Sequence, residues 1–201
     1  MIRSDFSSER ALKWLGWYYM KEVECHGGVF DKTEQLRKQL TSISELMTKS
    51  DKWGLFIMGQ VGNGKTTAIK AVRSMINHLI REGYFVGEVF AWSWVEVLNA
   101  REMTRLYVED YESFLDKMHR EWLIIDDLGL DSKEVLVYGN KCYPFMELLD
   151  YRYENRLPTV ISSNLKSEDL KNRYGDPRFS DRFNQMFNKI TFRDKSFRSK
   201  S

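Results

Sequence analysis

The chain opens with two stretches in which apolar side chains return every three or four positions, the period of a helix with one buried face. Leu12, Leu15, Tyr18 and Tyr19 form the first stripe, with Trp14 and Trp17 alongside, and either Asp5 or Ser7 offers a capping oxygen ahead of it. His26-Gly27-Gly28 interrupts the pattern, and a second helix follows from Thr33 with Leu36, Leu40, Ile43 and Met47 in register. Aromatic-rich stripes of this kind serve core packing, with a docking face as the alternative. From Gly54 the period changes. Leu55-Phe56-Ile57-Met58 is a short continuous apolar run, the pattern of a strand buried on both faces. Ala68, Ala71, Val72, Met75, Ile76 and Leu79 then restore helical spacing.

The alternation repeats to the end of the chain. Val89-Phe90-Ala91-Trp92 reads as a second strand, and Ser93 with Glu96 as the capping box of the next helix. Asp110 to Arg120 is a helix with Tyr111, Phe114, Leu115 and Met118 on one face, and Glu121 to Gly129 is a buried strand ending on two carboxylates. Ser132 to Tyr143 reads as a loop containing Gly139. Pro144 suits the first turn of a helix carrying Phe145, Leu148 and Leu149, which Pro158 ends. Thr159 to Asn164 is a strand; Ser167, followed by Glu168 and Asp169, opens a helix. Phe179 to Met186 is a further short helix, and Ile190-Thr191-Phe192 the last strand. Strands alternating with helices predict an α/β fold built on a five-stranded, largely parallel sheet flanked by helices. With no repeat and no Pro/Ser-rich linker, one structural domain is expected, residues 1–50 being a helical segment packed on a core of residues 51–201.

Composition narrows the setting only a little. No run approaches the ~18 apolar residues of a membrane span, and no charged-then-apolar leader opens the chain. Cys25 and Cys142 lack metal-type spacing, and without a leader no disulfide is expected; a cytoplasmic protein with no membrane partner follows. A net charge of +2 on 201 residues argues neither for nor against nucleic acid, so any DNA contact must come from a local basic patch.

The chemistry starts at Gly59-Gln60-Val61-Gly62-Asn63-Gly64-Lys65-Thr66-Thr67, which fits G-x-x-x-x-G-K-[ST] between a strand and a helix. That is the phosphate-binding loop of nucleoside triphosphatases. Its glycines let backbone N–H groups approach the phosphates, and the helix adds its positive dipole end. Lys65 would reach the β- and γ-phosphates of ATP, and the Thr66 hydroxyl would ligate Mg²⁺. Asp126 and Asp127 emerge at the carboxyl end of a buried strand, the ligand edge of an open α/β sheet. Asp126 is expected to hold Mg²⁺ and Asp127 to polarise the attacking water, the bland alternative for Asp127 being a hydrogen bond to its own loop. Asn164, at the end of the next strand, is either a water- or γ-phosphate-binding residue or an ordinary strand-terminating turn.

The phosphate loop, Trp122 to Gly129 (W-L-I-I-D-D-L-G) and Leu148 to Leu165 (L-L-D-Y-R-Y-E-N-R-L-P-T-V-I-S-S-N-L) together resemble the AAA+ ATPase domain of DnaC/DnaI-type helicase loaders and IstB-type transposition helpers. The resemblance runs from about Lys52 to the C-terminus. It implies a P-loop NTPase of the AAA+ type in which Asp126 and Asp127 are the Walker B pair and Asn164 is sensor 1. Glutamate is usual at the second carboxylate of that class; here it is the shorter aspartate. Arg182 resembles the arginine finger that completes a neighbouring subunit's site, with Arg178 its competitor, and Arg198 resembles a closing arginine that faces bound nucleotide. For either, a solvated surface charge is the alternative. Nine residues follow Phe192, so no C-terminal helical lid is expected. The docking or DNA-binding segment usual upstream of the family's ATPase domain is short or absent.

The function these residues imply is a Mg²⁺-dependent ATPase that switches with its nucleotide in DNA replication, by helicase loading, or in transposition. Turnover would be slow until copies assemble. Partners would be other copies of the chain, a replicative helicase or a transposase, and single- or double-stranded DNA. The basic tail of Lys189, Arg193, Lys195, Arg198 and Lys200 is either a solvated tail or a DNA contact. Two rivals are a small-molecule or nucleotide phosphotransferase and a non-catalytic ATP-binding adaptor.

Overall fold

The computed structural model describes residues 6–84 and 94–192. The apolar stripes of the first fifty residues become α1 (Ser8–Cys25) and α2 (Glu34–Lys49). Ser7 caps the first, its Oγ accepting from the Arg10 N–H at 3.2 Å, and Thr33 caps the second through the Leu36 N–H at 3.1 Å. Asp5, the other candidate cap, lies outside the described residues. Strand β1 (Gly54–Gly59) then leads through the phosphate loop into α3 (Lys65–Arg81).

Beyond α3 the chain runs through β2 (Val97–Asn99), α4 (Ala100–Glu109), α5 (Tyr111–His119), β3 (Leu123–Leu128), β4 (Val135–Val137) and β5 (Asn140–Cys142). It ends with α6 (Pro144–Glu154), β6 (Thr159–Ser163), α7 (Ser167–Tyr174), α8 (Pro177–Met186) and β7 (Phe187–Phe192). Five strands form one sheet in the order β2-β3-β6-β1-β7, and every neighbouring pair is parallel. Successive side chains of a strand face opposite ways, and the two cores divide accordingly. Leu55, Ile57, Ile124, Val160 and Ile190 join α1, α2 and α3 on one side; Phe56, Leu123, Ile125, Ile161 and Phe187 join α4 to α8 on the other. Burial on both faces is why these strands read as continuous apolar runs.

Two expectations are corrected here. The strand proposed at Val89–Trp92 and the Ser93 end of the capping box fall outside the described residues, but Glu96 does not sit in a helix. Val97–Asn99 instead pairs with Ile124–Asp126 as the edge strand, and Asn99 caps α4 through the Arg101 N–H at 2.9 Å. Ladder pairing outweighs a local cap pattern, and Glu96 is left to pair with Lys117 and Arg120. The loop expected over 132–143 holds a hairpin, β4 and β5, whose tip residues Tyr138 and Gly139 take φ of 50° and 80°. Positive φ at both central residues is the type I′ turn that suits two-residue hairpins. Burial drives it: Val135, Val137 and Cys142 pack on the second core. Ser167 opens α7 as expected, with Lys166 at the cap, its N–H donating to Asp169 Oδ2 at 3.1 Å.

Candidate functional site

The three strand ends that could carry phosphate chemistry meet at one edge of the sheet, because β1, β3 and β6 are adjacent and parallel. Between β1 and α3 the phosphate loop turns on Gly62 and Gly64, with φ of 85° and 87°. Gly59 is fixed for a different reason. A Cβ there would run into the Asn63 amide and the carbonyl oxygen of Phe192. Asn63 is itself buried and donates from Nδ2 to that carbonyl at 2.7 Å, pinning the loop to the end of β7. The first turn of α3 has no side-chain cap, so its N–H groups and its dipole are presented to an anion.

Lys65 is buried to 5% exposure, and its ammonium gathers the site. It donates to the carbonyls of Gly59 and Gln60 at 2.8 and 2.7 Å, to Asn63 Oδ1 at 3.3 Å and to Asn164 Oδ1 at 2.8 Å. Burial pushes its pKa down, and the nearby carboxylates of Asp127 and then Asp126 pull it back up. One cation thus spans the loop and the end of β6. Asn164 therefore sits beside the phosphate loop and not in a remote turn.

The carboxylates come from a distorted strand. The register of β3 on β6 shifts between Ile125 and Leu128, so one extra residue bulges there. Asp127 takes a left-handed φ of 59°. Its N–H donates to Asp126 Oδ1 at 3.1 Å and to Ser162 Oγ at 3.0 Å, and Ser162 in turn donates to Asp126 Oδ1. Asp126 is thereby buried and oriented through one oxygen. Ser162 was not among the candidate residues of the sequence. Its signal was there: a serine on the apolar run Thr159–Ser163, at 0% exposure, must bond to something.

The donor set suits Mg²⁺. That ion binds through one or two oxygen ligands of the protein together with phosphates and waters, and Asp126 on β3 and Thr66 in the first turn of α3 carry oxygens of the kind that would hold it. Among the described residues there is no cluster of three or more His, Cys, Asp or Glu side chains able to hold a metal alone.

The two arginines stand apart from this group. Arg182 pairs with Asp150 and Glu154 of α6 and lies over the Tyr153 ring at 5.3 Å, its side chain 19% exposed. Arg178 is 68% exposed and pairs with Asp176 at 2.9 Å. Arg198 and the basic tail beyond Phe192 lie outside the described residues.

No family model matches the chain, and no curated relative does. Solved structures do. The DnaC helicase loader aligns with a TM-score of 0.59 at 20% identity, over 82% of this chain and 93% of that one. DnaI aligns at 0.58 and 19%, over 85% and 88%. AMPPCP-bound DnaA from Aquifex aeolicus aligns at 0.54 and 19%, over 84% of this chain but 50% of that one. The fold is therefore that of the P-loop AAA+ domains of the DnaC/DnaI type, as the sequence resemblance implied.

Proposed function

We propose that the protein binds and hydrolyses Mg²⁺-ATP and uses the nucleotide as a switch in DNA replication. The observation that carries this is the four-way contact of Lys65. It brings the phosphate loop and the end of β6 onto one ammonium, next to the Asp126–Asp127 bulge. Loop amides, α3 and Lys65 would hold the phosphates. Thr66 and Asp126 would hold Mg²⁺, which supplies charge neutralisation at the phosphate oxygens when bound. Asp127 and Asn164 would orient a water against the γ-phosphorus. As the new P–O bond forms, the bond to the β-phosphate oxygen breaks, ADP leaves, and the water's proton passes to Asp127 or solvent.

The likeness to a helicase loader supports replication as the setting, with a helicase, DNA and further copies of the chain as partners. Arg182 is the residue we assign to completing a neighbour's site, and to do so it must exchange Asp150 and Glu154 for a phosphate. The non-catalytic adaptor is the second reading, favoured by the short Asp127 side chain on a bulge. Nucleotide binding and phosphate release by three forms of the chain separate the two. Wild type should bind ATP and release phosphate; Lys65→Ala should lose binding; Asp127→Asn should bind ATP and lose turnover by ~10²–10⁴. ATP bound by wild type without release above the Asp127→Asn level would establish the adaptor.

A further inference from the structure

A buried acid lies four residues beyond Asp127 and has no role in the chemistry above. Asp131 is 4% exposed. Its Oδ1 accepts from the Gly129 N–H at 2.9 Å, and its Oδ2 accepts from the Tyr174 hydroxyl at 2.8 Å. Arg173 lies 3.9 Å from Oδ1 and donates to the Asp131 carbonyl oxygen. Tyr174 and Arg173 belong to the last turn of α7, the helix that starts three residues after Asn164.

The segment from Asp127 to Asp131 is a tight turn tied at several points. The Leu130 N–H donates to the Asp127 carbonyl at 3.1 Å, and Ser163 Oγ donates to the Leu128 carbonyl. Gly129 has φ of 104°, and a Cβ there would lie 2.6 Å from Leu165 Cδ1, so the turn rests directly against the residue after Asn164. Left-handed backbone at a non-glycine residue such as Asp127 persists only where its surroundings over-determine it. Asp131 fastens the turn to α7 twice, its carboxylate accepting from Tyr174 and its carbonyl oxygen from Arg173; only the carboxylate also holds the Gly129 N–H.

We infer that Asp131 is a positioning residue: through Gly129 and Tyr174 it holds the Asp127 turn on α7, so that Asp127 and Asn164 keep one fixed separation. The inference rests on the hydrolytic reading above. Misplacing a water-orienting group by about 1 Å costs ~10² in rate while leaving phosphate contacts untouched. A residue that merely stabilises the fold would have no such selective effect.

The test is steady-state phosphate release and Mg²⁺-ATP affinity for wild type, Asp131→Asn, Tyr174→Phe and the double variant of the full chain. The expected result is a kcat lowered ~10-fold or more in Asp131→Asn and less in Tyr174→Phe. ATP affinity should stay within about twofold, and the double variant should be no slower than Asp131→Asn, since both act along one path. Tyr174→Phe removes one hydroxyl and keeps the buried acid, so it reports even if Asp131→Asn folds poorly. Unchanged kcat in both variants would overturn the inference, as would kcat and affinity falling together. A wild type that binds ATP without turnover would overturn the hydrolytic reading and this inference with it; turnover unaffected by the substitutions would overturn the inference alone.

Discussion

Asp127 shows how backbone and chemistry choose a residue together. Its φ of 59° belongs to a region where short polar side chains are tolerated far better than longer ones. That is a structural reason for aspartate where glutamate is usual in this class of site. Asp127→Glu is expected to lower the free energy of unfolding by about 1 kcal/mol, read by urea denaturation. Lys65, Asp126, Asp127 and Asn164 were legible in the sequence because each stands at a fixed offset from an apolar run. Asn63 holding Phe192 and Ser162 orienting Asp126 were not. Those bonds join residues 129 and 36 positions apart, and only the strand order brings them together.

Elements show where local pattern and tertiary pairing part company. The strands β1, β3 and β6 and the helices around them were legible because burial on both faces writes an unbroken apolar signature. The edge strand β2 has three residues, too few to write a period, and the hairpin β4–β5 hid inside a polar stretch. Its tip carries a strained choice. Tyr138 is fully exposed at φ of 50°, a position that favours Asn or Gly, so Tyr138→Asn should raise stability by about 0.5–1 kcal/mol in thermal or urea unfolding.

Arg152 is the opposite case, a charge with no exposure. It donates to Thr159 Oγ1 and to the carbonyls of Met118, Arg120, Glu121 and Pro158, joining the end of α5 to the starts of β3 and β6. Burial pushes its pKa down to about 9, so it is still protonated at neutral pH. Arg152→Met would orphan those acceptors and is expected to cost about 3–5 kcal/mol of stability. Arg152→Lys should not rescue it, because one ammonium cannot span five acceptors.

A carboxylate shared by two tyrosines makes the packing of α4 and α5 on α6 dependent on pH. Glu147 of α6 accepts from Tyr107 at 2.8 Å and from Tyr111, drawing α4 and α5 onto α6. The hydrogen bond to Glu147 pushes the Tyr111 pKa up from 10.0 to about 12. A raised folded-state pKa means that the stabilisation is complete below pH 10 and is lost as pH climbs towards 12. Glu147→Gln should therefore bring tyrosinate absorbance forward to lower pH in a spectrophotometric titration.

At the scale of the whole molecule, the two cores are divided by the sheet, and the site sits where three of its parallel strands end. α1 and α2 share their core with β1 and α3, so the N-terminal helices are bound up with the phosphate-loop side of the fold. Arg182 lies on the other layer, held by α6. On the function proposed above, a charge placed there would serve the chemistry by reaching another copy. Arg182→Ala should leave ATP affinity unchanged and remove the concentration-dependent part of turnover, whose size for such an arginine is ~10³–10⁵. The same substitution at the more exposed Arg178 should leave that part in place.

The most direct measurement is phosphate release per subunit as a function of protein concentration, for wild type and Asp127→Asn at saturating Mg²⁺-ATP. The wild-type rate should stand above the variant at every concentration and climb as copies assemble, while Asp127→Asn stays flat with ATP bound. Equal rates for the two, with both binding ATP, would contradict hydrolysis at this site.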